Sequence, residues 1–177
     1  IGMNGSIYMG HEFNRYHGVN GGIQVNYKRG KVSSFVNADY SRRNNYRDVH
    51  TDRFFNINGS AAEMSQDGEW RFKSHNPSVR AGLDYDINDR HSIGFSVRGN
   101  YYDGSDDFSM LSNLVTGNNG GQWIDSRNVI NREFTRINSN LHYIANIDST
   151  GRKLTIDIDH ANMNMDHHST FDNIYRN

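Results

Sequence analysis

The stretch VNGGIQVNYKRGKVSSFVNADYS, residues 19–41, decides the fold class. Its first half places apolar residues such as Ile23 and Val25 at alternate positions, with polar residues between them. A turn at Gly30 separates this half from a second one that alternates in the same way, with Phe35 as the single break. Alternation with a period of two sends successive side chains to opposite faces of a β-strand. The stretch therefore predicts a β-hairpin with one apolar face and one polar face.

The same scheme occurs twice more along the chain. The three short turns lie near Gly30, Asp89 and Gly151, roughly 60 residues apart. We expect the three hairpins at about 19–43, 78–102 and 136–160. An earlier strand is expected within residues 1–11, where Ile7 and Met9 alternate with polar neighbours. The sequence thus predicts an antiparallel, all-β meander of about seven strands.

One of these strands has a competing interpretation. Ile137, Leu141 and Ile144 also fit the spacing of a helix. Because this segment has the same position relative to its turn as its two predecessors, a strand is predicted there. The tail after Asp166 is left unassigned.

The connections between the strands differ in length on the two sides of the meander. Turns within the hairpins have about three or four residues, whereas the connections between hairpins run from about 44 to 76 and from about 103 to 131. Short turns on one side and long loops on the other are typical of outer-membrane β-barrels. A soluble sandwich has no physical reason to keep its long loops on one side. The pattern predicts part of a transmembrane outer-membrane barrel.

Composition excludes several other classes. The 177 residues include 19 basic and 20 acidic ones, so the net charge of -1 gives no reason to expect a nucleic-acid partner. No apolar run approaches the ~18 residues that a transmembrane helix requires. The chain has no Cys and therefore no disulfide framework or thiolate metal site. Since it opens on Ile1, we expect a mature protein or an excised piece.

The two faces of the predicted sheet suggest lipid on one side and water on the other. A sheet can span a bilayer only as a closed barrel, because every backbone polar group must be paired internally. Tyrosine prefers the membrane–water boundary, since it joins an apolar ring to a polar tip. Five tyrosines lie near strand ends on the apolar face and are predicted to form two membrane-interface girdles: Tyr27, Tyr85 and Tyr143 beside the short turns, and Tyr40 and Tyr101 at the far ends. General enrichment of Tyr in strands is the alternative.

The run GGIQVNYKRGKVSSF, residues 21–35, resembles an early barrel hairpin of TonB-dependent receptors and related outer-membrane barrel proteins. The stretches around 84–98 and 140–159 resemble later hairpins of the same kind. The resemblance implies a location in the outer membrane of a Gram-negative bacterium and contact with outer-membrane lipid. It also implies a parent barrel of about 22 strands with a plug. That parent imports an as yet unidentified ligand with energy from a TonB-type coupling protein.

The chain departs from the family pattern in its extent. It holds about seven strands, contains no recognisable plug, and ends in Tyr175-Arg176-Asn177 rather than in an aromatic-terminated strand. We therefore expect residues 1–177 to be an internal segment of the barrel. Two alternatives stay open: a small complete barrel of about eight strands with a structural or adhesive role, and a soluble secreted β-sandwich that binds carbohydrate.

The clusters of carboxylate and imidazole side chains in the sequence do not predict a catalytic or metal site. Asp157 and Asp159 fall on the polar face of their strand, whereas His160 falls on the other face. In the following residues 166–168 (Asp-His-His), the two adjacent histidines would point to opposite sides of an extended chain. Residues 103–107 (Asp-Gly-Ser-Asp-Asp) lack the spacing of a twelve-residue calcium loop. Asp84 and Asp86 resemble a glycosidase pair only in being close together, and we interpret them as polar residues facing the lumen. We expect no enzymatic activity, no metal and no cofactor.

Aromatic residues in the long connections are the candidates for ligand binding. These are Trp70, Phe72 and Trp123, which could stack on a sugar or cover an entrance. Packing between loops is the alternative for the same residues. The glycine-rich segment 117–121 beside Trp123 has no Lys and no strand–helix context, so it does not predict a phosphate site.

Overall fold

A computed structural model describes residues 2–117, 121–148 and 151–176, which form one antiparallel sheet. Each strand pairs with the next along the chain, so the order across the sheet is the order in the sequence. The strands are β1 (Gly2–Phe13), β2 (His17–Arg29), β3 (Val32–Ile57), β4 (Ser60–Asp86), β5 (His91–Thr116), β6 (Gln122–Asn146) and β7 (Lys153–Arg176). The predicted all-β meander of seven strands is therefore confirmed.

The short turns lie on one side of the sheet, where the sequence places them. Gly30, with a φ of 56°, joins β2 to β3. Between β4 and β5, the Asn88 side-chain oxygen accepts hydrogen bonds from the backbone N–H groups of Arg90 and His91, at 2.9 and 3.0 Å. Asn favours turns because its side chain can bond to nearby backbone groups in this way. The third turn includes Ser149 and Thr150, which lie outside the described residues.

The connections on the other side are not irregular loops. β3 continues to Ile57 and β4 starts at Ser60, with an unbroken antiparallel register between them. Asn58 and Gly59 form the two-residue turn, and both have positive φ, 50° and 84°. Asn-Gly suits such a turn because both residues tolerate the left-handed region. The expected loop 44–76 is thus a tall hairpin. The expected loop 103–131 is likewise strand over most of its described length, within β5 and β6, while 118–120 lie outside the described residues.

Three uncertain segments of the sequence are strands. Residues 2–11 belong to β1, and the segment with the competing helical spacing lies in the middle of β6. The tail beyond Asp166 continues β7 to Arg176.

The register sorts the side chains into two faces, because directly paired residues point to the same side of a sheet. Face A includes Val25, Val36, Leu83 and Phe95, and face B includes Asn26, Asn37, Asp84 and Ser96. Within the described ranges, Ala62 and Ala145 are the only buried apolar residues. This single-layer sheet therefore has no hydrophobic core of its own.

Candidate functional site

Four central strands share an aligned segment of nine residues, which we call the band. It consists of 32–40 in β3, 77–85 in β4, 93–101 in β5 and 135–143 in β6, and the register places these segments side by side. On face A, none of these segments carries a charged residue. A transmembrane β-strand requires about 9–11 residues. The band therefore has the length and the apolar face needed to cross a bilayer.

The tyrosines of the predicted girdles lie at the two edges of the band. Tyr85 pairs with Ile93, and Ile93 pairs with Tyr143, so these two tyrosines lie at one level beside the short turns. Tyr40 of β3 pairs with Pro77 of β4, and Pro77 lies at the same level of the sheet as Tyr101 of β5. Tyr40 and Tyr101 therefore mark the other edge of the band. Tyr27 pairs with Ser34, two residues further into the band. Their assignment to a membrane interface stays a prediction.

On face B, the band is polar, and a glycine organises part of it. Gly94 lies between Asp84 and His142 in the register. The carboxylate of Asp84 and Nε2 of His142 meet across the backbone of Gly94, 2.9 Å apart. A Cβ on Gly94 would collide with both side chains. The missing side chain thus lets two polar residues from strands β4 and β6 lie flat against the sheet.

Phe35, the single break in the alternation, also lies on face B. It pairs with Gly82, and its ring covers the space that a Gly82 side chain would occupy. The guanidinium of Arg80 lies 5.2 Å from the centre of the same ring. The apolar ring on the polar face is therefore shielded by a glycine beneath it and an arginine beside it.

Beyond the band, face A gains many charged residues and face B gains many apolar ones, although Leu111 and Trp123 lie on face A and Arg47, Arg53 and Arg132 on face B. We call this part of β3 to β6, from Ser41 to Ile57, Ser60 to Asn76, Tyr102 to Thr116 and Gln122 to Phe134, the extension. Its face A carries charged residues that include Arg42, Asp48, Asp67, Glu69, Arg71, Lys73, Asp103, Asp107, Arg127 and Glu133. Its face B carries apolar residues that include Met64, Trp70, Phe72, Phe108, Met110, Leu114, Ile130 and Phe134.

The aromatic residues of the extension form contacts on face B. The Trp70 ring packs edge-on against Phe72 and Phe108, with centroid distances of 6.4 and 6.3 Å. Arg47 places its guanidinium 5.6 Å from the Trp70 ring centre. Nearer the band, Tyr102 and Phe134 stack with their centroids 4.9 Å apart. Trp70 and Phe72, predicted as ligand-binding candidates, thus belong to one aromatic cluster with Phe108.

Ion pairs stabilise face A of the extension. Arg127 donates two hydrogen bonds to Asp107, at 3.0 and 2.7 Å, and this holds the pKa of the Asp107 carboxyl below its usual value. His50 lies 2.6 Å from Asp67 and 3.1 Å from Asp52, and hydrogen bonds to these carboxylates raise its pKa. Such pairs on an exposed surface are typical of protein in contact with water.

The turn between β1 and β2 packs against the tall hairpin. Arg15 contacts the Glu69 carboxylate at 2.8 Å and lies 5.2 Å from the ring centre of Tyr46. Arg71 places its guanidinium 3.9 Å from the ring centre of Tyr16. These contacts fix the low hairpin to the charged face of its taller neighbour.

Other residues that the sequence singles out are not brought together. Trp123 lies on face A, opposite to the face of Trp70 and Phe72, and pairs with Asn113 near the far end of the extension. Residues 103–107 are part of β5, so their carboxylates point alternately to the two faces. His160 pairs with Ser139 and Asp159 with Asn140, which places them on opposite faces as expected.

The extension differs from the loops expected from the sequence, although the sequence contains signals for it. Within residues 62–75, charged and apolar residues alternate, as in Glu69, Trp70, Arg71, Phe72 and Lys73. The Asn-Gly pair at 58–59 marks the turn at the centre of the expected loop. The connection from 44 to 76 is so long that it resembles a loop, and this makes the alternation and the Asn-Gly turn hard to recognise.

No helix in the described ranges is long and apolar enough to cross a membrane. Those ranges also contain no group of three or more His, Asp or Glu side chains placed to hold a metal ion.

No protein-family model matches the chain, and no curated protein matches it either. Among solved structures, the RagAB peptide transporter is similar over 82% of this chain and 20% of its own, with 10% identity and a TM-score of 0.31. The CymD monoaromatic hydrocarbon channel is similar over 99% of this chain and 69% of its own, with 10% identity and a TM-score of 0.19. A Pseudomonas aeruginosa FadL homologue is similar over 96% and 68%, with 11% identity and a TM-score of 0.15. These three are outer-membrane barrel proteins, but scores this low do not define a common fold, so function is inferred from the sheet itself.

Proposed function

We propose that this chain forms part of the wall of an outer-membrane β-barrel that transports a small solute, with face A of the band toward lipid and face B toward the lumen. The observation that supports this most directly is that face A carries no charged residue over the band and many charged residues as soon as the band ends. The chain carries out no chemistry in this proposal. It supplies a selective surface along a path through the membrane.

The apolar face of the band has no covering layer among the described residues. Leu83, Phe95 and Val79 are each exposed by about half, at 49%, 50% and 51%. Leaving that much apolar surface in water is unfavourable by about 25 cal/mol per Å². Acyl chains remove this penalty without any further protein layer, provided that the backbone groups of the sheet are paired.

The extension distinguishes a membrane wall from one layer of a soluble sandwich. A sandwich buries the same face along the whole length of its strands. Here face A carries no charged residue over the band but many charged residues beyond it. A change of this kind is expected where a strand leaves hydrocarbon and enters water, since charged residues are unfavourable on the lipid face.

The resemblance to TonB-dependent receptors gives the proposal its finer form. The parent protein then closes a larger barrel with further strands beside β1 and β7, holds a plug in the lumen, and imports its ligand with energy from a TonB-type coupling protein. Face B of the extension, with Trp70, Phe72 and Phe108, would line the external entrance to the lumen. This surface is suited to an initial contact with an apolar or aromatic part of the ligand.

Single-cysteine labelling tests the orientation of the faces, and the chain has no native Cys to interfere. A fluorescent probe is attached at Phe95 or at its neighbour Ser96 in the full-length protein reconstituted in lipid vesicles. A quencher on the lipid acyl chains should reduce the signal of F95C strongly and that of S96C weakly. Aqueous iodide should do the reverse.

Asp107 and Phe108 are the matched control pair in the extension. Neither D107C nor F108C should respond to the acyl-chain quencher, because both positions lie above the band. Lipid quenching at Ser96 but not at Phe95 would reverse the proposed orientation. Equal iodide access at all four positions would remove the membrane assignment.

The energy source is tested separately in cells. Uptake of the ligand through the parent protein should stop when a protonophore collapses the inner-membrane gradient, whereas passage through a passive channel should continue. Uptake that persists would leave the barrel in place and refute the TonB-type mechanism.

A further inference from the structure

Three arginines lie together on face B of the band, on three neighbouring strands. Arg80 of β4 pairs directly with Arg98 of β5. Arg136 of β6 pairs with Asn100, two residues from Arg98 along β5. Like charges directly opposite each other destabilise a sheet. The arrangement is therefore unfavourable unless negative charge is supplied.

The nearest carboxylates on this face already have other partners. Asp39 accepts a hydrogen bond from the Tyr8 hydroxyl at 2.8 Å. Asp84 pairs with His142 across Gly94. Asp159 accepts a hydrogen bond from the Asn140 amide at 2.9 Å.

The three guanidinium groups form no ion pair within the described ranges. The one contact found for Arg80 is with the ring of Phe35, and none is found for Arg98 or Arg136. This contrasts with Arg127 and Arg132 in the extension, each of which pairs with a carboxylate, at 2.7 and 2.8 Å. The band thus holds three guanidinium groups without an ion-pair partner among the described residues, and the Asp159 carboxylate beside them is held by the Asn140 amide.

The surroundings of the arginines are those of a binding surface. Arg80 and Arg98 line a concave region of about 510 Å³ together with Ser96, Asn138, Asn140 and, on the β7 side, Asp159. Hydroxyl and amide groups supply further hydrogen-bond donors beside the guanidinium groups. The planar fork of arginine matches the two oxygens of a carboxylate or phosphate group.

We propose that Arg80 and Arg98, with Arg136 adding to the local field, bind the oxyanion group of a small solute that passes through the lumen. The inference rests on the proposed function, because it takes face B as the face toward the lumen. It deepens that function by naming the class of solute, which is a carboxylate or a phosphate. The solute is held by charge and bidentate hydrogen bonding at the level of the bilayer, below the aromatic surface of the extension.

Calorimetric titration of the full-length protein in detergent at low salt tests the site. Three probes are compared: succinate, inorganic phosphate, and 1,4-butanediol as an uncharged molecule with the carbon chain of succinate. Succinate or phosphate should bind, and butanediol should not. Binding of succinate assigns the site to carboxylates, and tighter binding of phosphate assigns it to phosphates.

The variants R80Q and R98Q should each weaken the binding of the preferred anion by about tenfold, as expected for loss of a hydrogen bond to a charged group. The variant R98K, which keeps the charge but loses the fork, should recover part of that loss. R53Q is the matched control, because Arg53 lies on face B of the extension, remote from the site. It should bind as the unaltered protein does.

The proposal is overturned if neither anion binds better than butanediol, or if R53Q weakens binding as much as R98Q. It is also overturned if no anion binds and R98Q alone lowers the melting temperature. That result would show that a carboxylate side chain from elsewhere in the barrel occupies the site. Calorimetry in detergent does not depend on the labelling experiment, so the failure of one proposal can be told from the failure of the other.

Discussion

Gly94 shows how a single missing side chain shapes the polar face. Asp84 and His142 belong to strands that are not neighbours, and they meet because nothing rises from the strand between them. The sequence shows a glycine in the polar half of an alternating strand. It does not show which side chains close over that glycine, because this depends on the register of three strands at once.

The substitution Gly94→Ala should destabilise the folded protein by about 1–3 kcal/mol, because the new methyl group must push Asp84 and His142 apart. Urea titration of the protein in lipid vesicles measures the effect. Gly99→Ala is the control, since a Cβ at Gly99 meets nothing within 4 Å. Equal losses in the two variants would show that the Asp84–His142 contact contributes nothing.

The ion pair between Asp107 and Arg127 predicts that part of the protein's stability depends on pH. The pKa of Asp107 is lowered in the folded protein, so the pair stabilises the fold above the unfolded-state pKa and stops doing so as pH falls through the folded-state pKa. Asp107→Asn should therefore lower the melting temperature at pH 7 and have little effect near pH 2. The pair is partly exposed, so we expect less than about 1 kcal/mol.

Thermal unfolding of both proteins across that pH range measures the difference. Asp103→Asn is the control, because Asp103 lies on the same face of the same strand and has no ion pair within the described ranges. A difference between wild type and Asp107→Asn that persists at low pH would contradict the assignment.

At the scale of elements, the two central hairpins are far longer than a membrane requires. β3 has 26 residues and β4 has 27, whereas a transmembrane strand requires about 9–11. The part of each strand next to the short turns could be predicted from alternation because it is continuous with a recognised turn. The extension resembles a loop in the sequence because its turn lies about 30 residues further along.

The Asn58-Gly59 turn should control how well the extension forms. Gly59→Val should disorder the tip of the β3–β4 hairpin, because a β-branched residue tolerates a φ of 84° poorly. Limited proteolysis should then cut near residues 55–63 while the band stays protected. Gly59→Asn should resist cleavage, since Asn accepts this conformation. Cleavage of both variants at the same rate would show that the turn does not hold the tip.

At the scale of the whole molecule, the proposed orientation places face A in lipid over the band and in water over the extension. Leu83→Arg places a charge in the band, where Leu83 is 49% exposed, and should cost about 2–4 kcal/mol in lipid. Leu111→Arg makes the same change on the same face of the extension, where Leu111 is 44% exposed, and should be tolerated. The fraction of protein that folds into vesicles measures both. Equal losses would contradict the proposed position of the bilayer.

Sequence patterning predicts that two faces exist, but not what covers them. Alternation in residues 19–41 is the same for a lipid-facing wall and for one layer of a sandwich. The distinction comes from lateral alignment, because the register places the apolar segments of four strands side by side and ends them together. Alignment between strands is a property of their pairing, which a single linear pattern does not contain.

The strands also extend to unequal distances beyond the band. β3 continues from Tyr40 to Ile57, whereas β1 ends at Phe13, shortly after Met9 reaches the level of Tyr40. A wall built from these strands has an uneven edge, which is lowest at the β1–β2 hairpin and highest at the neighbouring β3–β4 hairpin. In the proposed barrel, this difference in height would leave the lumen more accessible from the side of the first hairpin than from above the β3–β4 hairpin.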